Sequence, residues 1–146
     1  TISLTYKKMP FLRIAPICNG KIYVAPRSYQ GEEPGKLDIP MEDYIYACKT
    51  DTDKYAKEVE NKYSNHITGQ PEPRFSLKHL VKETNGVKKT IMLYILPLND
   101  EEQIHFTGGK FVTPEEIEMN SAQYSSFLKE EIDHLNIVTQ MWEEFK

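Results

Sequence analysis

DTDKYAKEVENKYSNHITG, Asp51 to Gly69, reads as a single helix set between β-rich segments. Asp51 or Thr52 supplies a side-chain oxygen able to cap a helix, which is expected to run to about Asn65. Tyr55, Val59 and Tyr63 recur at i, i+4 and i+8 and give that helix one apolar stripe, which Ala56 and Ile67 extend. Gly69 and the prolines at 71 and 73 end the element.

Upstream, FLRIAPIC (Phe11 to Cys18) and KIYVA (Lys21 to Ala25) are β-rich runs joined by Asn19-Gly20. Asn-Gly between two such runs signals a hairpin, because a type I′ turn needs positive φ at both central residues. Pro26 to Lys36 reads as a loop, Leu37 to Pro40 as a very short strand, and Asp43 to Lys49 as another. Thr1 to Met9, where Ile2, Leu4 and Tyr6 alternate with polar residues, is a linker or an edge strand. Downstream, Phe75 to Val81 and Lys88 to Pro97 read as strands around Asn85-Gly86, the second apolar enough to be central. Gln103 to Phe106 and Lys110 to Val112 are further short strands. Thr113-Pro114-Glu115-Glu116 starts a helix, with a capping hydroxyl, proline at the first helical position and acids in the first turn. Apolar residues from Tyr124 to Phe145 keep helical spacing, so Ser121 to Phe145 is expected as one long terminal helix. A hairpin, a helix, more strands and a last helix do not make the alternation of a doubly wound fold.

Composition narrows the class. The chain has 146 residues, enough for one domain with a sizeable core, 39% hydrophobic and 27% charged. A net charge of -4 gives no global basic footprint, so no nucleic-acid polymer is expected as partner. No run approaches the roughly 20 apolar residues that span a bilayer. Cys18 and Cys48 lie far apart and form no zinc spacing, which fits reduced thiols in the cytoplasm. His66, His79, His105 and His134 show no i, i+3 or i, i+4 pairing, which argues against zinc, and no G-x-S-x-G elbow supports a serine nucleophile. The first residue is Thr1, which suggests a part of a larger protein.

Three segments in order resemble the Nudix hydrolase family over roughly Pro10 to Phe145. NGKIYVAPRS (Asn19 to Ser28) is similar to that family's opening hairpin. PGKLDIP (Pro34 to Pro40) resembles its P-G-x-W-x-x-P approach, with Leu37 in the Trp place. KFVTPEEIEMN (Lys110 to Asn120) is similar to its late segment before the last helix. The resemblance implies an α/β fold for residues 10–146: a Nudix-like α/β/α sandwich, with a mixed curved sheet, a box helix and a long C-terminal helix.

The metal box itself is degenerate. The family pattern is G-x5-E-x7-R-E-U-x-E-E-x-G-U, where glutamates one turn apart hold Mg²⁺ against a pyrophosphate. Lys57, Glu58 and Val59 fall on R-E-U, but Asn61 and Lys62 stand in the places of the paired glutamates and Ser64 in the final Gly place. Asp43 takes the leading Gly place and Lys49 the outer Glu place. Glu58 alone keeps a family position with metal-binding chemistry; the other reading is a solvated helix charge pairing with Lys54 or Lys62. Glu115 and Glu116 either supply carboxylates from the far side of the pocket, as the resemblance implies, or simply complement the helix dipole. Lys21, Arg27, Lys36 and Arg74 are either an anion pocket or scattered surface charge. Tyr44 and Tyr46, with Tyr55 and Tyr63, either stack on a base or pack in the core. Gly108-Gly109 is a phosphate nest or a plain loop.

The expected function is a non-catalytic Nudix-like module that binds a phosphorylated or nucleotide-like ligand or a partner domain, with no cofactor. The alternatives are a divergent Nudix hydrolase using Mg²⁺ held by Glu58, Glu115 and Glu116, and a structural domain appended to a membrane transporter or signalling protein. The apolar terminal helix makes a homodimer through that helix an expectation too.

Overall fold

A computed structural model describes residues 10–45, 52–82 and 88–146. Among them are seven strands, β1 (Phe11–Cys18), β2 (Lys21–Pro26), β3 (Leu37–Asp38), β4 (Met41–Tyr44), β5 (Arg74–Lys82), β6 (Lys88–Pro97) and β7 (Lys110–Val112), and three α-helices, α1 (Thr52–Lys62), α2 (Pro114–Met119) and α3 (Ser126–Phe145). The strands form one mixed, unclosed sheet in the order β3-β2-β1-β6-β5, with β4 added to β1 and β7 to β2. Its centre is the parallel pairing of β1 with β6, from Phe11↔Ile91 to Ile17↔Pro97.

Alternation along the central strands builds two cores, since successive side chains face opposite sides of a sheet. Ala15, Ile17, Ile22, Val24, Leu93 and Ile95 pack with Leu128, Ile132 and Leu135 of α3. Leu12, Ile14, Tyr23, Tyr94 and Leu96 pack on the other side with Ala56 and Val59 of α1. This is the α/β/α sandwich expected from the sequence. Asn19 (φ 53) and Gly20 (φ 76) both take positive φ, as the hairpin signal requires.

Three expectations need correction. The fourth strand runs over Met41–Tyr44 rather than from Asp43, because Phe11 to Ile14 of β1 set its register. Gln103 to Phe106 is not a strand. Asp100 and Gln103 form a capping box that closes a 3-10 turn, and only Ile104 bridges, to Ile67. The terminal helix is broken at Tyr124, because the Ser125 side chain accepts from the Leu128 N–H and starts α3 afresh. Thr113 caps α2 as anticipated, accepting from the Glu116 N–H at 3.1 Å. The expected segments Thr1 to Met9 and Asn85-Gly86, and Tyr46 to Asp51, lie outside the described residues. Among the described residues no helix is long and apolar enough to cross a membrane.

Candidate functional site

The site arises from a fork in the sheet. On one edge, the first half of β1 pairs β4 (Phe11↔Tyr44 to Ile14↔Met41), while its end pairs β2 (Ile17↔Ile22, Cys18↔Lys21). Both partners leave the same edge of one strand, so they splay apart and a cleft of about 520 Å³ opens beside them. That volume falls in the usual range for small-molecule sites.

A buried ionic network forms the floor. Arg13 is fully buried, a position a guanidinium occupies only when paired. Its Nε donates to both carboxylate oxygens of Glu131 at 3.1 and 3.0 Å, and its Nη2 donates to Glu131 Oε1 at 2.8 Å and Asp38 Oδ1 at 2.7 Å. Its Nη1 donates to Asp38 Oδ2 at 3.1 Å and to Glu42 Oε2 at 2.5 Å. Arg27 approaches from β2's end and donates to Asp38 Oδ2 at 2.5 Å and Glu42 Oε1 at 3.1 Å. The Phe127 ring lies 5.3 Å from the Arg13 guanidinium and 5.6 Å from that of Arg27. His79 Nε2 reaches Glu131 Oε2 at 3.0 Å.

Three carboxylates thus meet two guanidinium groups. Burial draws the Arg13 pKa down, but Asp38, Glu131 and Glu42 outweigh it and hold the group well above its ordinary value. Burial pushes the Asp38 carboxyl up, yet Arg13 and Arg27 more than reverse this, and it stays below the usual range. Glu42 goes the other way. Burial lifts it, and the charge of Asp38 adds to burial against the pull of Arg13 and Arg27.

Aromatic rings make the walls. Phe11 and Tyr44 lie side by side, ring centres 4.9 Å apart, with Lys89 Nζ over both. Across the fork, His66 stacks on Phe106 at 4.0 Å and 7°, and the Tyr63 ring leans on Phe106 at 5.8 Å. Tyr63 also donates its hydroxyl to the Glu42 carbonyl at 3.0 Å, which ties this wall to the floor.

Of the residues singled out in the sequence, Arg27, Tyr44 and Tyr63 line this cleft, while Tyr55 packs against the core beneath α1. Lys21 sits at the closed end of the hairpin beside Cys18. Lys36 donates to the Ala122 carbonyl. Arg74 lies over the Trp142 ring at 5.4 Å and lines a separate groove with Lys54 and Lys57. Tyr46 is outside the described residues. Gly108 and Gly109 are packed against β2 rather than opened to a ligand: a Cβ on Gly109 would stand 1.9 Å from the Tyr23 hydroxyl. Arg13, Asp38, Glu42 and Glu131 were not singled out.

The family's metal does not fit the residues present. Glu58 is exposed on α1, and Glu115 and Glu116 are exposed in the first turn of α2. Among the described residues no three His, Cys, Asp or Glu side chains come together as metal ligands, so the Glu58, Glu115 and Glu116 set is not assembled. Asn61 and Lys62 are the residues that the sequence resemblance sets in the places of the paired glutamates, and the Lys62 ammonium forms an ion pair with Asp43. An amide and an ammonium are not the hard anionic oxygens that hold Mg²⁺.

Comparison with known proteins places the fold. No family model matches the sequence, and no curated protein matches it either. Solved structures do match. The DR0079 protein of Deinococcus radiodurans superposes with a TM-score of 0.65 at 15% identity, over 88% of this chain and 83% of its own. A Nudix hydrolase from Nitrosomonas europaea gives 0.62 at 12% identity, over 90% of each chain. The C-terminal domain of mouse MUTYH, solved in complex with human PCNA, gives 0.55 at 16% identity, over 94% and 89%. The fold is Nudix-like.

Proposed function

We propose that this Nudix-like domain is a binding module rather than a hydrolase, and that its cleft takes a nucleotide-like ligand on behalf of a larger cytoplasmic protein. The observation that carries this reading is the state of the carboxylates. Asp38, Glu42 and Glu131 all accept hydrogen bonds from Arg13 or Arg27. Taking one of them as a metal ligand strips a partner from a buried charge, a change that costs about 3–5 kcal/mol. The walls suit a planar ring, since aromatic faces stack on any base. Arg27, with its side chain 15% exposed, is the cation a phosphate would meet.

A second reading, a divergent hydrolase that uses Mg²⁺, draws support from neighbours that carry the name Nudix hydrolase. A third, a protein-interaction domain, draws support from the MUTYH domain's complex with PCNA. Thermal melting against nucleotides, dinucleotides and sugar nucleotides, each with and without Mg²⁺, separates the three. Ligand at about 100 times its dissociation constant adds roughly 2.7 kcal/mol. A metal-independent shift is expected. A shift that requires Mg²⁺, followed by product formation, overturns the proposal in favour of hydrolysis, and silence across the panel overturns it in favour of a protein partner.

A further inference from the structure

The sheet ends at β5, a nine-residue strand that among the described residues pairs only with β6. Strand edges left open are templates for another strand, and chains guard them with charge and bulges. Both guards are present. The register slips between Phe75 and Leu77, which is a β-bulge, and the strand carries Arg74 and Lys78. β5 and β6 together hold five lysines and arginines and no acid, in a chain whose net charge is -4.

Apolar surface flanks this basic edge on both sides. Phe75 and Leu80 are 51% and 58% exposed on β5 itself. On the covered face, α3 crosses the strand, with His134 Nε2 2.6 Å from Ser76 Oγ. Ile137 and Met141 follow His134 at i+3 and i+7, so they share its face of α3, and they are 58% and 50% exposed.

We infer that the β5 edge is a docking site for an extended, acidic segment of a partner protein, added as a further strand. Backbone hydrogen bonds supply the attachment, and alternate side chains supply the choice. Apolar residues of the incoming strand pack toward Ile137 and Met141, and its acids meet Lys78. A second copy of this chain fits poorly, because antiparallel pairing of β5 with itself brings like charges together. This inference is independent of the cleft.

The test uses a blocked peptide of about eight residues alternating valine and glutamate, titrated into the chain and followed by amide hydrogen exchange. Saturable binding is expected below about 1 mM, weakening several-fold between about 50 and 300 mM salt, with new protection confined to β5. Lys78→Glu is expected to lower affinity about tenfold, while its melting temperature, checked in parallel, stays at the parental value. The inference is overturned by no binding, by equal binding of a valine-lysine peptide, by binding without β5 protection, or by β5 protection that needs only higher protein concentration. Preferential binding of single-stranded oligothymidine at the same edge also overturns it.

Discussion

Arg13 and Glu131, 118 positions apart, share three N–H···O contacts of 2.8 to 3.1 Å in a site where both side chains are fully buried. The contact ties the central strand to the terminal helix under the cleft floor. Removing one member leaves the other charged and dry. Arg13→Met is therefore expected to destabilise the fold by about 3–5 kcal/mol, and Glu131→Gln by somewhat less, since the amide oxygen still accepts. Urea unfolding with an unchanged m-value measures this. A loss below about 1 kcal/mol would mean that water reaches the pair.

Two acids of the floor have opposite pH signatures. Asp38 is depressed in the fold, so its contribution is present above its ordinary value of 3.8 and is lost as pH falls through its lower folded pKa. Glu42 is raised, so its contribution is full below 4.5 and is lost as pH rises through its folded pKa. Burial also lifts Glu60, which adds a slope of the same sign as that of Glu42. Glu42→Gln is expected to leave a shallower loss of stability above pH 4.5, with the Glu60 part remaining. Thermal melts of both proteins from about pH 3 to 8 check it; parallel curves would contradict the raised pKa.

Gly109 is fixed by contact rather than by φ. A Cβ there meets the Tyr23 ring at 1.9 to 2.8 Å, and Tyr23 is held by the Phe106 N–H, which donates to its hydroxyl at 2.8 Å. Gly109→Ala should cost about 1–3 kcal/mol, which lowers the melting temperature by about 2–4 °C for each kcal/mol in a domain of this size. Gly20→Ala is the control, since nothing lies within 4 Å of its added methyl and only backbone strain is tested.

Ligand binding should divide the residues singled out in the sequence. Tyr44→Ala removes a wall of the cleft and is expected to weaken a nucleotide by about 1–3 kcal/mol, the usual worth of one stacked base. Lys21→Ala and Lys36→Ala should leave affinity unchanged. Isothermal titration of the four proteins decides, and an equal loss on Lys21→Ala would place the ligand elsewhere.

The local features were legible in the sequence. Asn19-Gly20, Thr113-Pro114 and the Tyr55, Val59 stripe each carry their own geometry, and the elements form where those signals stand. The grouping of cations was not. Lys21 opens β2 and Arg27 follows its last residue, about 20 Å away along an extended chain, so one hairpin cannot bring both to one pocket. The ionic floor was hidden because its members lie 25, 29 and 118 positions from Arg13. One signal was available. An arginine in the middle of FLRIAPIC, a run buried on both faces, needs a partner wherever the chain provides one.

The distance between Arg13 and Glu131 also sets an order of events. The β1–β2 hairpin closes through neighbouring residues and can form early, while contacts across most of the chain come late because loop closure precedes them. During synthesis the first strand therefore waits, its guanidinium hydrated, until the last helix has left the ribosome. The domain cannot seal from its first strand alone; the second turn of α3 completes a site whose arginine was laid down in β1.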